Sequence, residues 1–234
     1  MIHINASKPP YDNLALRQAM AYAIDRQKFV DVVLGGGGRP AYTIISAGWA
    51  YNPDLKPISS DLAKAKQKLA EAGYPNGVTI RMGCRPSQPL YCEFIQASLK
   101  EANINVAVEI LTDADYPRMD DRGAFQRQGL RLQSWAYRAD PHALIQILFH
   151  KDGSQNLGAY NNPEVNRLID QAGTLYDVAT AKPIYDKIQT IVAEDAVMPD
   201  LGWGDRFQVM NRRVQGYIPY PTVFEHLEFT WLQK

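Results

Sequence analysis

The sequence predicts an α/β domain, on three observations. Residues 77–111 run strand, helix, strand. Long stretches before and after them carry apolar residues at helical spacing. Glycine and proline punctuate the ends of nearly every periodic segment, and this alternation builds a mostly parallel sheet covered by helices. At 234 residues the chain can bury a sizeable core as one domain.

The elements follow in order. From Asp12 to Leu34, Leu16, Ala19, Met20, Ala23, Ile24, Val30 and Val33 recur at helical intervals, which predicts one long helix capped by Asp12 or Asn13. The run Gly35 to Gly38 closes that helix. A phosphate-cradling loop would follow a strand and open a helix, so this run is a C-terminal cap and turn. Arg39-Pro40 begins an irregular stretch through Trp49, Tyr51 and Pro53. Asp61 to Ala72 is a helix with Leu62, Ala65 and Leu69 on one side, stopped by Gly73 and Pro75. Residues 77–82 alternate as a strand, Gln88 to Ala102 form a helix, and Val106 to Leu111 form a buried strand, which together make a βαβ unit. A shorter helical piece precedes a strand at Leu130 to Trp135. Helices fit Pro163 to Leu175 and Ala179 to Glu194, after which Met198 to Trp203 and Arg206 to Met210 return to the sheet. The tail from Gly216 to Lys234, rich in proline and aromatics, reads as an ordered extension.

Composition excludes several functions. Lys and Arg number 25 and Asp and Glu number 25, which removes the basic footprint of a nucleic-acid binder. No apolar run is long enough to span a bilayer, and the opening Met1-Ile2-His3-Ile4-Asn5 lacks the regions of a signal peptide, so the sequence reads as a soluble chain without an address. Cys84 and Cys92 fit neither a CxxC redox pair nor a zinc site. They read as two small, partly buried side chains, with a short-range disulfide as the alternative. An enzyme needs a nucleophile with a base or a pair of tuned carboxylates. Cys92 with a distant histidine, as in a thiol hydrolase, has no local signature, and Asp113, Asp115, Asp120 and Asp121 read as solvated charges. His3, His142, His150 and His226 lack the tight spacing of a metal site, and no cofactor is implied.

Several phrases carry a resemblance. They are Asn5 and Pro9-Pro10-Tyr11-Asp12, then Arg17-Gln18-Ala19 with Ala21-Tyr22-Ala23-Ile24-Asp25-Arg26, then Asp61-Leu62-Ala63-Lys64-Ala65-Lys66 with Glu71-Ala72-Gly73-Tyr74. Tyr160-Asn161-Asn162-Pro163-Glu164-Val165 and Val214-Gln215-Gly216-Tyr217 follow. In this order they resemble the peptide-, opine- and nickel-binding branch of the transporter solute-binding proteins, extracellular solute-binding family 5. The resemblance implies a periplasmic binding protein-like lobe of type II, with residues 1–234 forming a single lobe equivalent to the family's second, and a large first lobe absent. It also implies a small-molecule solute (peptide, opine or metal chelate), an ABC permease as partner of the complete protein, and a periplasmic or membrane-anchored extracellular location. No enzymatic activity is implied, and a lone lobe supplies half a cleft, which leaves it weak or inactive in isolation. Its lobe-facing surface, near Trp49 and Tyr51 or in the tail, favours self-association if exposed. The rival reading is a standalone interaction module or a folding unit without a ligand.

The candidate site is Ser134-Trp135-Ala136-Tyr137-Arg138-Ala139-Asp140-Pro141-His142, at a strand's carboxyl end, where ligands of open α/β sheets gather. In peptide-binding relatives an aspartate three positions after the tryptophan pairs with the ligand's amino group, and here that position holds Arg138. A guanidinium there favours a carboxylate, with Trp135 and Tyr137 as flat walls. An internal salt bridge to Asp140 is the structural alternative for Arg138, and a core position is that for Trp135. Asp140 has a second role open to it, as the cap of a helix beginning at Pro141. His142 in Asp140-Pro141-His142 resembles the nickel-binding relatives.

Overall fold

The computed structural model describes residues 1–112, 129–136, 138–219 and 227–233. The helical piece expected between Leu111 and Leu130, the acidic pairs within it, Tyr137 and His226 lie outside the described residues.

The long helix expected over residues 12–34 is two helices, α1 (Leu14–Ala23) and α2 (Arg26–Val33). Asn13 caps the first through Ala15 N and Leu16 N. Asp25 caps the second, its carboxylate accepting from Gln27 N and Lys28 N at 3.0 Å each. This cap breaks the helix in mid-period and turns Arg26 inward. The Arg26 Nε donates to Ala41 O and Asp200 O at 2.9 Å each, tying the break to two distant loops.

The main sheet has four strands in the order β1 (Ile2–Ile4), β5 (Leu130–Leu132), β3 (Val78–Cys84), β4 (Ile104–Ile110). The pairs β3–β4 and β3–β5 are parallel, and β1 runs antiparallel to β5. The fold is therefore α/β with a mixed, mostly parallel sheet. Helix α4 (Pro89–Glu101) makes the βαβ crossover from β3 to β4, as the sequence predicts. Helix α3 (Leu62–Glu71) packs against α1, its Asp61 cap accepting from Lys64 N.

Apolar residues of β1, β3, β4 and β5 and of α1, α3 and α4 form one core. A second core lies among α5 (Pro141–Phe149), α6 (Pro163–Ala172) and α7 (Val178–Glu194), with Ile44 and Ile45. β1 joins the two: Ile2 and Ile4 enter the first core while Met1 and Ala6 pack on the second. Gly129, at the entry to β5, has φ of 78°, and a Cβ there would lie 2.0 Å from the Tyr11 ring, so only glycine lets the strand start under that ring.

The final segment departs from expectation. Residues 197–199 do reach the sheet, with Ile2 N donating to Pro199 O and Ile4 N to Val197 O. Residues 202–204 instead form β6 (Gly202–Gly204), which pairs with β2 (Gly38–Pro40) in a separate ribbon. Residues 206–210 form no strand; Phe207 and Val209 are 80% and 100% exposed, because the alternating pattern meets no partner edge among the described residues. The tail forms β7 (Val214–Gln215) and β8 (Trp231–Leu232), a small exposed hairpin. Trp49, expected as a candidate for exposure, stacks edge-on to Tyr185 at 5.3 Å, and it is the tail that exposes apolar surface.

Cys84 and Cys92 form a disulfide, which corrects the reading of two separate small side chains. Chain direction explains the pairing. Cys84 ends β3 and Cys92 lies in the first turns of α4, so the strand-to-helix turn brings the two buried side chains together.

Candidate ligand cleft

The carboxyl ends of β3 and β5 open side by side, the usual ligand position in such sheets. Two adjoining hollows lie there, sharing Gln88, Leu132, Gln133, Ser134 and Trp135. One, of about 300 Å³, is walled by Phe29, Tyr91, Trp135 and Trp203, with Gln133 and Asp200 as polar groups. The other, of about 290 Å³, is polar and lined by Arg85, Arg131 and Gln155.

Polar residues support the floor. His3 and Arg131 face each other across β1 and β5, and both bond the same Gln133 oxygen, His3 Nδ1 at 2.9 Å and Arg131 Nη2 at 2.8 Å. Burial, then the Arg131 charge, depresses His3 to about 3, so its ring is neutral and its Nδ1 serves as the donor. Arg131 is 1% exposed, a guanidinium held within the sheet layer. Asp200 is buried at the other end, and desolvation raises its carboxyl to about 6 despite the Met1 ammonium and Arg26.

The expected site residues separate. Trp135 is half-buried between the cleft and the second core, and its buried Nε1 has no hydrogen-bond acceptor, so wall and core roles coincide. Arg138 is exposed, and among the described residues it makes neither an ion pair nor a hydrogen bond; the expected bridge to Asp140 is not formed. It lies behind Trp135, lining a narrow gap with Ile44 and Trp203 rather than either large hollow. Asp140 caps α5, its carboxylate accepting from His142 N at 2.9 Å. The half-buried His142 ring packs against Gly173, which caps the end of α6, where an added Cβ would come within 2.7 Å of it. His150 lies beside Asp152 and Asp170, and no group of three metal-ligating side chains exists among the described residues.

Sequence reasoning missed Arg85, Gln88, Tyr91, Arg131, Gln133, Asp200 and Trp203. The first two were within reach, since they follow β3 as directly as Trp135 follows β5. Arg131, a charge between two leucines in a buried strand, was a second signal.

Residues 1–156 match the family model described as bacterial extracellular solute-binding proteins, family 5 Middle. The chain belongs to this family. It is 28% identical over 231 residues to heme-binding protein A of Haemophilus influenzae, covering 94% of this chain and 42% of that protein. It is 28% identical over 206 residues to the glutathione-binding protein GsiB of Escherichia coli, covering 83% and 40%. Its fold superposes with a TM-score of 0.85 on the ABC transporter-associated periplasmic binding protein DppA from Helicobacter pylori in complex with peptide STSA, at 26% identity, covering 100% of this chain and 46% of that one. The chain thus spans less than half the length of these relatives. The family's members are binding proteins of transporters, and no helix among the described residues is long and apolar enough to cross a membrane.

Proposed function

We propose that this chain is one lobe of a periplasmic solute-binding protein that delivers a small peptide-like or anionic amino-acid-derived solute to an ABC permease. The observation that carries the reading is the pair of adjoining hollows at the carboxyl ends of β3 and β5, one aromatic and one bearing Arg85 and Arg131. Flat apolar groups suit Trp135, Tyr91 and Trp203, and a carboxylate suits the guanidinium end. Arg138 belongs to the proposal as a contact from the far side of Trp135, Tyr137 as the flat wall read from the sequence, and Asp140 as the cap that starts α5.

Two observations favour a lobe over a self-sufficient module. The relatives are about twice as long, and the segment after β6 exposes Phe207, Val209, Phe229 and Trp231, apolar surface that a monomer normally covers. Residues 1–234 form one lobe in this reading, and solute is enclosed when the remaining part of the protein closes over it. The isolated lobe binds weakly, and it self-associates where the tail is uncovered.

The test is a thermal-shift and calorimetric comparison of this chain with Arg85→Ala and Arg138→Ala variants, using dipeptides and glutathione as probes. A saturable shift reduced about tenfold in affinity by Arg85→Ala assigns the carboxylate to the polar hollow. The same loss in Arg138→Ala alone moves the anion site behind Trp135. Sub-micromolar affinity for any probe refutes the half-site argument.

A further inference from the structure

The aromatic hollow contains a group that folding does not explain. Asp200 is only 6% exposed, yet its carboxylate makes no hydrogen bond and no ion pair among the described residues. Its backbone oxygen is used, accepting from Arg26 Nε at 2.9 Å, but that bond leaves the side chain free. The charged groups facing it are the Met1 ammonium on β1 and the Arg26 guanidinium on α2, the latter engaged with carbonyls and lying over the Tyr42 ring. Neither charge contacts the carboxylate directly, and a buried carboxylate that lacks direct hydrogen bonds is costly, so such a group is retained where something else pairs with it.

The surroundings say what that partner is. Asp200 lines the same hollow as Phe29, Tyr91, Trp135 and Trp203. A carboxylate among aromatic faces is complementary to a compact cation, through ion pairing and through the negative faces of the rings. The arginine end lies next door, across Gln133 and Ser134.

Building on the solute-binding reading above, we propose that Asp200 is a specificity-determining residue that pairs with a cationic group of the solute, an ammonium or guanidinium, at the aromatic end of the cleft. The cleft is then bipolar, and it selects solutes with a cation at one end and an anion at the other. Burial already brings the Asp200 carboxyl near neutrality, so the pairing fails on mild acidification, as the carboxylate takes up a proton.

The experiment titrates this chain and its Asp200→Asn variant with the dipeptide Ala-Phe and with N-acetyl-Ala-Phe, which lacks the ammonium, following amide chemical shifts so that weak binding is measurable. The expected result is that wild type binds Ala-Phe about tenfold more tightly than the acetylated probe near pH 7.5, and that the variant binds both alike. In wild type the preference also falls to about twofold near pH 5, as the carboxylate takes up a proton. If both probes bind and Asp200→Asn keeps the full preference, the Asp200 assignment is overturned while the solute-binding reading stands. If neither probe gives a saturable shift, the Asp200 assignment falls, whereas the half-cleft reading, which allows an isolated lobe to bind nothing measurable, stands. A second measurement avoids dependence on the variant's folding. The carboxyl carbon of Asp200 in wild type should titrate at lower pH once Ala-Phe is added, and an unmoved titration overturns the assignment.

Discussion

Replacing Tyr160 with phenylalanine tests how the two cores are held together. The Tyr160 hydroxyl donates to Asp195 Oδ2 at 2.5 Å, and Asn162 Nδ2 donates to the same oxygen at 2.9 Å. Asp195 ends α7 in the second core, and its backbone oxygen accepts from Arg17 Nε at 2.9 Å, a residue of α1 in the first core. Arg17 Nη1 in turn donates to Tyr11 O and Asp12 O. Phenylalanine leaves the ring against Phe149 and leaves the backbone bonds to Asn156 intact, so the change isolates one hydroxyl. Burial, then the bond to Asp195, pushes the Tyr160 phenol above its ordinary range, so it stays a donor throughout the test. A hydrogen bond to a charged group contributes about 1.5–3 kcal/mol, and Asn162 retains part of the carboxylate's solvation, so the expected loss is about 2 kcal/mol. For a chain of this length that lowers the melting temperature by about 4–8 °C. Urea unfolding of wild type, Tyr160→Phe, Asp195→Asn and the double variant measures the coupling directly. A Tyr160→Phe loss below about 0.5 kcal/mol, with no coupling to Asp195→Asn, would refute the argument that this hydroxyl anchors Asp195, whose backbone oxygen receives Arg17 from the first core.

Two further outcomes follow from the same structure. The disulfide closes a ring of residues 84–92, and the chain entropy it removes from the unfolded state contributes about 2.5 kcal/mol. The Cys84→Ser, Cys92→Ser double variant should therefore melt about 5–10 °C lower, and faster amide exchange in residues 85–91 should accompany it; an unchanged melting point would show that the crosslink adds no stability. His3 is depressed to about 3 by burial, so the native ring stays neutral while the unfolded one gains a proton below its ordinary value near 6.5. Stability through His3 is thus present above that value and is lost as pH falls toward 3. Asp200, raised to about 6, acts the other way between about pH 4 and 6, because there the native carboxyl holds a proton that the unfolded one releases. From pH 7 to pH 5 the stability of His3→Gln should rise by about 2 kcal/mol relative to wild type, and parallel curves in urea titrations at the two pH values would contradict the assigned burial of His3.

The sequence carried the local part of this architecture and little of the nonlocal part. The βαβ unit was legible because its strands and helix bury faces with clean periods, and Asp61 and Asn13 act as caps where their residue types predict. The single helix over residues 12–34 failed for a specific reason. Both α1 and α2 bury the same side, so the apolar period runs through the break, and only Asp25, a strong cap in mid-period, betrays it. Residues 206–210 alternate like a strand, but alternation cannot say whether a partner edge exists. The antiparallel seat of β1 beside β5, and the ribbon of β2 with β6, join segments more than 100 residues apart, which no window of sequence brings together.

The cleft shows the same division more sharply. Trp135 and the cap role of Asp140 could be read from one nonapeptide, whereas Gln88, Tyr91, Asp200 and Trp203 meet only after the sheet forms. What marks them is a contrast in how buried charge is treated. Arg17 and Arg26 are buried and spend their donors on backbone carbonyls, so their burial is explained by folding. Asp200 is buried to the same degree, yet among the described residues its carboxylate makes no hydrogen bond and no direct ion pair, with only the Met1 and Arg26 charges acting on it from a distance. Folding alone would favour an apolar residue at such a position. Other buried polar atoms, such as Asn5 Nδ2 and Gln189 Oε1, also lack a hydrogen-bond partner among the described residues, so what sets Asp200 apart is its charge and its place on the aromatic hollow.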